Sequence, residues 1–133
     1  MKVFLDTNVL VSAFATRGLS ADLFEMVLLE HELVTGHCVL QELDKVLRMK
    51  IRLPAARCVE IVEFLRAEAA RVVADAPEAD CGAEQSDRAI LGEALAGEAQ
   101  AFVTGDAALV DLGELSGMPI LTPRRFWDLL RSG

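Results

Sequence analysis

Four carboxylates stand out because of the residues that precede them. Asp6 directly follows the apolar run Val3-Phe4-Leu5, and Asp106 comes three residues after Val103 in Ala101-Phe102-Val103-Thr104-Gly105-Asp106. Asp87 falls in the first turn of a helical pattern, and Glu42 lies within the apolar-periodic stretch from Val39 to Leu47. If the two apolar runs are strands of an open parallel sheet, Asp6 and Asp106 share the edge beyond the strands' carboxyl ends, where such sheets take ligands. Carboxylates gathered in one cleft repel one another, so several must take up protons or the cleft must hold a cation. An oxygen-only ligand set selects Mg²⁺ or Mn²⁺ over zinc. One such ion, or two about 4 Å apart, activates water and stabilises the charge that develops on a phosphodiester during in-line displacement. That is nuclease chemistry.

Taken singly, each acid has a plainer explanation. Asp6 can begin a turn, Asp87 is stabilised by the helix dipole, Glu42 can pair with Lys45 at i,i+3, and Asp106 can cap a short helix. On a helical wheel Glu42 borders the apolar face, about 100° from its centre near Leu43 and beside Val39 and Val46. The informative feature is the set: four acids expected at one edge, with no lysine after Lys50 to neutralise them.

Positioning these acids requires strands that alternate with helices. Val3–Leu5, Leu33–Thr35, Val72–Val73, Ala101–Val103 and Pro119–Leu121 read as short strands, and the segments between them carry helical periodicity, which predicts parallel strands joined by crossover helices. Ser20 and Ser86 are expected N-caps, Pro54 and Pro123 helix openers, and Asp75 to Gln85 a loop. The expected fold class is a three-layer α/β/α domain over residues 1–133 with a central parallel sheet of four to five strands.

Composition narrows the class further. The chain has 133 residues, 53% hydrophobic, with 13 Lys+Arg against 21 Asp+Glu and a net charge of -8. A chain of this size buries about two-thirds of its surface around one core, so one domain is expected. The longest charge-free run, Thr7 to Thr16, falls well short of the ~20 residues of a membrane-spanning helix. Asp6 and Asn8 interrupt what would otherwise imitate a signal peptide, so a cytoplasmic protein is expected. Cys38, Cys58 and Cys81 are too scattered for a disulfide framework or a Cys-x-x-Cys metal pair, and His31 and His37 lack metal spacing. Neither a Gly-x-Gly-x-x-Gly nor a Walker A pattern is present. The absence of a late lysine argues against a receiver domain, and Asn8 in place of an aspartate argues against a haloacid-dehalogenase-like phosphatase.

The segments Met1-Lys2-Val3-Phe4-Leu5-Asp6-Thr7-Asn8-Val9-Leu10, Val39-Leu40-Gln41-Glu42-Leu43, Asp87-Arg88-Ala89-Ile90-Leu91-Gly92-Glu93-Ala94, Phe102-Val103-Thr104-Gly105-Asp106 and Met118-Pro119-Ile120-Leu121-Thr122-Pro123 together resemble the PIN-domain family, in order and over nearly the whole chain. The resemblance implies a Mg²⁺- or Mn²⁺-dependent ribonuclease using one or two ions, and for a free-standing domain this short the VapC-like toxin of a toxin–antitoxin pair. It carries the acidic quartet onto Asp6, Glu42, Asp87 and Asp106, with Asn8 and Thr104 as polar supports. Many relatives place several aspartates before the helix of Asp87; this chain has Glu84-Gln85-Ser86-Asp87, which makes Glu84 a candidate substitute ligand. The further acid that often follows Thr-Gly-Asp is replaced by Ala107 and Ala108, with Asp111 a distant stand-in.

Net negative charge is awkward for a protein that binds RNA, so affinity must come from a local basic patch. Lys45, Arg48, Lys50, Arg52 and Arg57 form one, with no acid between residues 45 and 57; a solvated helix end is the alternative. Acidic surface and high apolar content suit a basic antitoxin whose Arg or Lys enters the carboxylate cluster. Surplus apolar residues near the C-terminus, Phe126 and Trp127, suit a homodimer. A rival reading from another class is a catalytically silent PIN-like module that only binds a protein or RNA.

Overall fold

The first apolar run becomes one of the two central strands of the sheet because it can be covered on both faces: Val3, Phe4 and Leu5 are all buried, as a parallel strand requires. In the computed structural model, which describes residues 1–132, this strand is β1 (Lys2–Leu5). It is followed by α1 (Thr7–Ala15), α2 (Leu19–Glu30), β2 (Glu32–Gly36), α3 (His37–Val46) and a π-helical turn over Leu47–Ile51. Then come α4 (Ala55–Glu68), β3 (Arg71–Val73), α5 (Gln85–Ala96), β4 (Ala101–Val103), α6 (Ala107–Val110), β5 (Glu114–Leu115), β6 (Met118–Leu121) and α7 (Pro123–Ser132).

The strand order is β3-β2-β1-β4-β6-β5. Five strands are parallel neighbours, as the sequence predicts, and the sixth, β5, pairs antiparallel with β6 at the edge. The chain runs outward from β1 to β2 and β3, then returns to the other side of β1 as β4. The switch in direction leaves a crevice at the carboxyl ends of β1 and β4. Beneath it Phe4 and Phe102, paired in register, stack with ring centroids 5.5 Å apart in the centre of the core. A second aromatic group, Phe14, Phe24 and Phe64, joins α1, α2 and α4. The accessible surface of 7144 Å² matches the ~6,800 Å² expected for a folded chain of this mass. Among the described residues no helix is long and apolar enough to cross a membrane, and all three cysteines are free.

Several local expectations are corrected. Ser20 lies inside α2, whose N-cap is Gly18 at φ 143°, a conformation that side chains rarely adopt. Ser86 lies inside α5, whose N-cap is Glu84. The edge strand β5 went unseen because it has only two residues. Ser116 and Gly117 then reverse the chain with positive φ at both positions, the conformation a tight hairpin needs. Phe126 is fully buried in the core rather than offered at the surface.

Candidate active site

Asp6 occupies the residue after β1 and extends its ladder by one rung, its N–H donating to Val103 O at 2.9 Å. Its side chain is 4% exposed and fully engaged. Oδ1 accepts the Thr7 N–H at 2.8 Å and so caps α1; Oδ2 accepts the Thr104 hydroxyl at 2.7 Å and the Asn8 amide at 3.1 Å. Thr104 Oγ1 in turn accepts the Asp106 N–H at 3.0 Å, and Asn8 Oδ1 accepts the Gly105 N–H at 2.8 Å. Asn8 and Thr104 therefore stitch the ends of β1 and β4 together around the Asp6 carboxylate. Asp106 caps α6 through Oδ1, which accepts the N–H groups of Ala108 and Leu109.

Two helices bring the other acids to this edge. Glu42 arrives on α3, which rises directly from β2, and Asp87 on the first turn of α5, which runs back toward β4 with its N-terminus at the strands' carboxyl ends. The loop before α5 folds over the helix: Ala79 N–H donates to Arg88 O at 2.9 Å and the Arg88 guanidinium to Ala83 O at 2.7 Å. Gly92 makes room for it, since a Cβ there would run into the Pro77 carbonyl. All four acids line one cavity of about 490 Å³, together with Thr7, Asn8 and Lys50 and with apolar Val11, Val46 and Ile51.

The acids feel one another. Burial lifts Asp6 to a pKa of about 6, with Glu42 and Asp87 adding repulsion and the bonds from Thr104 and Thr7 opposing it. Asp87 is raised by burial first, then by Asp106, Glu42 and Glu84. The donor set fits a hard divalent cation: the four acids offer only oxygens, and beside Asp6 the buried Thr7 hydroxyl oxygen has no hydrogen-bond partner. The set is open rather than closed. Among the described residues no three His, Cys, Asp or Glu side chains stand close enough together to hold an ion at once.

Other expected site residues fall elsewhere. Glu84 is exposed at the α5 N-cap and does not line the cavity, though its charge reaches Asp87. Of the basic run only Lys50 lines the cavity. Arg48 is held by both oxygens of Asp44 at 3.0 and 2.9 Å, Arg57 faces Glu60 at 3.8 Å, and Arg52 ends the π-helical turn at φ 64°. An exposed Lys45 completes the scatter, so the five cations do not border the site as one patch.

A family model for the PIN domain matches residues 2–108. The chain is a member of the PIN-domain family. No curated protein matches it. A chain in the crystal structure of VapBC2 from Rickettsia felis bound to a DNA fragment from their promoter superposes with a TM-score of 0.66, covering 92% of this chain and 98% of that one at 13% identity. The two share a fold.

One feature of this PIN domain escapes a reading of the motifs. Glu93, on α5, is 2% exposed, and its carboxylate accepts the N–H groups of Cys38 at 2.7 Å and Val39 at 3.3 Å. The signal was present: Glu93 is three residues beyond buried Ile90, and so an acid on an apolar helix face.

Proposed function

We propose that this PIN domain is a Mg²⁺- or Mn²⁺-dependent endoribonuclease and the toxin of a toxin–antitoxin pair. The observation that carries the reading is that acids from four separate segments, at residues 6, 42, 87 and 106, line one cavity at the switch point of the sheet. A bound divalent ion would supply Lewis acidity and an activated water there. Asp6, Glu42, Asp87 and Asp106 are the residues that would hold it. Asn8 and Thr104 fix the Asp6 carboxylate, so that part of the ligand set is preorganised. Lys50, on the cavity wall, is the cation placed to meet a scissile phosphate.

Net charge of -8 makes the cavity hostile to RNA without that ion. The same charge suits a basic antitoxin segment whose Arg or Lys enters between the carboxylates and takes the ion's place. The neighbour of similar fold comes from a VapBC complex, which supports such a partner. A cytoplasmic homodimer completes the reading, paired through the face where Trp127 lies near Leu29, 76% exposed, and Leu129.

The test is cleavage of a mixed single-stranded RNA pool by purified protein with Mn²⁺, Mg²⁺ or EDTA. Cleavage that needs the ion and is lost in Asp6→Asn and Asp106→Asn supports the proposal. Cleavage that persists in EDTA or in both variants overturns it. The open spacing of the acids favours a second reading, a PIN-like module that binds a protein or RNA without cutting. Under that reading neither ion produces cleavage and Mn²⁺ leaves the melting temperature unchanged.

A further inference from the structure

The Glu93 carboxylate does a job that α3 cannot do for itself. An α-helix begins with N–H groups that lack intrahelical partners, and a side chain at the N-cap normally accepts from one of them. The N-cap of α3 is Gly36, which has no side chain to offer. The missing acceptors come instead from another helix: Glu93 Oε2 takes Cys38 N–H at 2.7 Å and Oε1 takes Val39 N–H at 3.3 Å. Gly36 is itself a consequence of this arrangement, because a Cβ there would occupy the place of the Glu93 carboxyl group.

The two helices joined in this way are the two that carry the helix-borne half of the acidic set. Glu42 lies one helical turn beyond Cys38 on α3, and Asp87 lies six residues before Glu93 on α5. Both line the cavity. Advancing α3 by one residue would shift it about 1.5 Å along its axis and turn it about 100°, enough to carry Glu42 off the cavity wall. We infer that Glu93 is a positioning residue: by accepting the first free N–H groups of α3 it ties that helix to α5 and sets the separation of Glu42 and Asp87. This rests on the ion-binding role proposed for those two acids.

Helix capping and positioning are separable by a rescue. Glu93→Ala removes both the cap and the tether; adding Gly36→Ser, now permitted by the vacated space, restores a cap within α3 alone. Wild type, Glu93→Ala and the Gly36→Ser/Glu93→Ala double variant are compared by thermal melting in EDTA, by Mn²⁺ titration and by crystal structures. In the expected result the double variant regains most of the melting temperature lost by Glu93→Ala, yet binds Mn²⁺ at least tenfold more weakly than wild type. Its Glu42–Asp87 separation also differs from that of wild type. Wild-type Mn²⁺ affinity in the double variant would overturn the inference and leave Glu93 a stability residue. If wild type itself ignores Mn²⁺, the metal proposal fails, and the crystal structures alone decide the tether: an unchanged Glu42–Asp87 separation in the double variant overturns it.

Discussion

Asp6→Asn should stabilise this protein at neutral pH when no divalent ion is present. Asp6 ionises at about 6 in the fold against 3.8 for an ordinary aspartate, chiefly because burial penalises its charge. For a carboxylate raised on folding, the native state binds the proton more tightly than the unfolded chain. Its contribution to stability is therefore greatest below pH 3.8, falls as pH rises through about 6, and is constant above that. The shift of about 2.2 units corresponds to roughly 3 kcal/mol of destabilisation by the ionised group at pH 7.5. Asparagine removes that charge but turns an amide toward the donors on Thr104 and Asn8, a mismatch that costs about 1 kcal/mol. The variant should thus gain about 2 kcal/mol at pH 7.5 in EDTA, a rise in melting temperature of about 7 °C for a chain of this length. At pH 4, where only about 0.5 kcal/mol of the charge penalty remains, the sign reverses and wild type melts about 1.5 °C higher. Mn²⁺ at a hundredfold excess over its Kd adds about 2.7 kcal/mol to wild type and nothing comparable to the variant. Calorimetry in EDTA and Mn²⁺ at both pH values reads all of this. An Asp6→Asn protein equally destabilised at pH 4 and pH 7.5 would refute the reasoning, since hydrogen bonding and not buried charge would then govern the residue.

Other perturbations follow from the same geometry. Thr104→Val keeps the side-chain shape but deprives Asp6 Oδ2 of its 2.7 Å donor and Asp106 N–H of its acceptor, and should lower stability by about 1–3 kcal/mol in urea denaturation; an unchanged midpoint counts against the network. Gly92→Ala places a methyl against the Pro77 carbonyl and should cost about 1–3 kcal/mol while exposing residues 76–83 to limited proteolysis; unaltered cleavage kinetics would show that the loop does not rest on α5. Lys50→Ala should reduce the salt dependence of single-stranded RNA binding by about 0.7 in log–log slope, measured by filter binding with Ca²⁺ supplied as the oxygen-ligated cation, whereas Arg57→Ala, removed from the cavity and facing Glu60, should not alter it. The reverse ranking of Lys50 and Arg57 would place the RNA elsewhere.

What the sequence discloses is mostly what short-range physics decides. Val3–Leu5 and Ala101–Val103 are apolar enough to be strands and nothing else, and Asp6 and Asp106 inherit their positions from the strands they follow. Asp87 depended on the loop before its helix folding back over the crevice, so that α5 starts at the strands' carboxyl ends, and parallel topology supplies that direction. Caps were less legible: Ser20 and Ser86 are good capping residues, but Gly18 at φ 143° and an extended Glu84 start those helices two residues earlier. Of the basic run, Asp44, just outside it, takes Arg48, and Lys50 alone lines the cavity, which a linear run of cations does not disclose. Glu93 was hidden for a deeper reason. Its partners are backbone N–H groups fifty-four and fifty-five residues away, and backbone groups leave no mark on a sequence.

The bond from Thr104 to Asp6 spans 98 positions of the chain. While a ribosome is still extending this polypeptide, the first aspartate has neither its hydroxyl donor nor the strand that seats it until β4 is out of the exit tunnel. Synthesis at roughly 5–20 residues per second gives a delay of several seconds between the appearance of the first acid and the last. A prematurely terminated fragment ending before residue 101 would contain three of the four acids but not the strand that gathers them. A cell making such fragments would accumulate chains in which those three acids are never brought together.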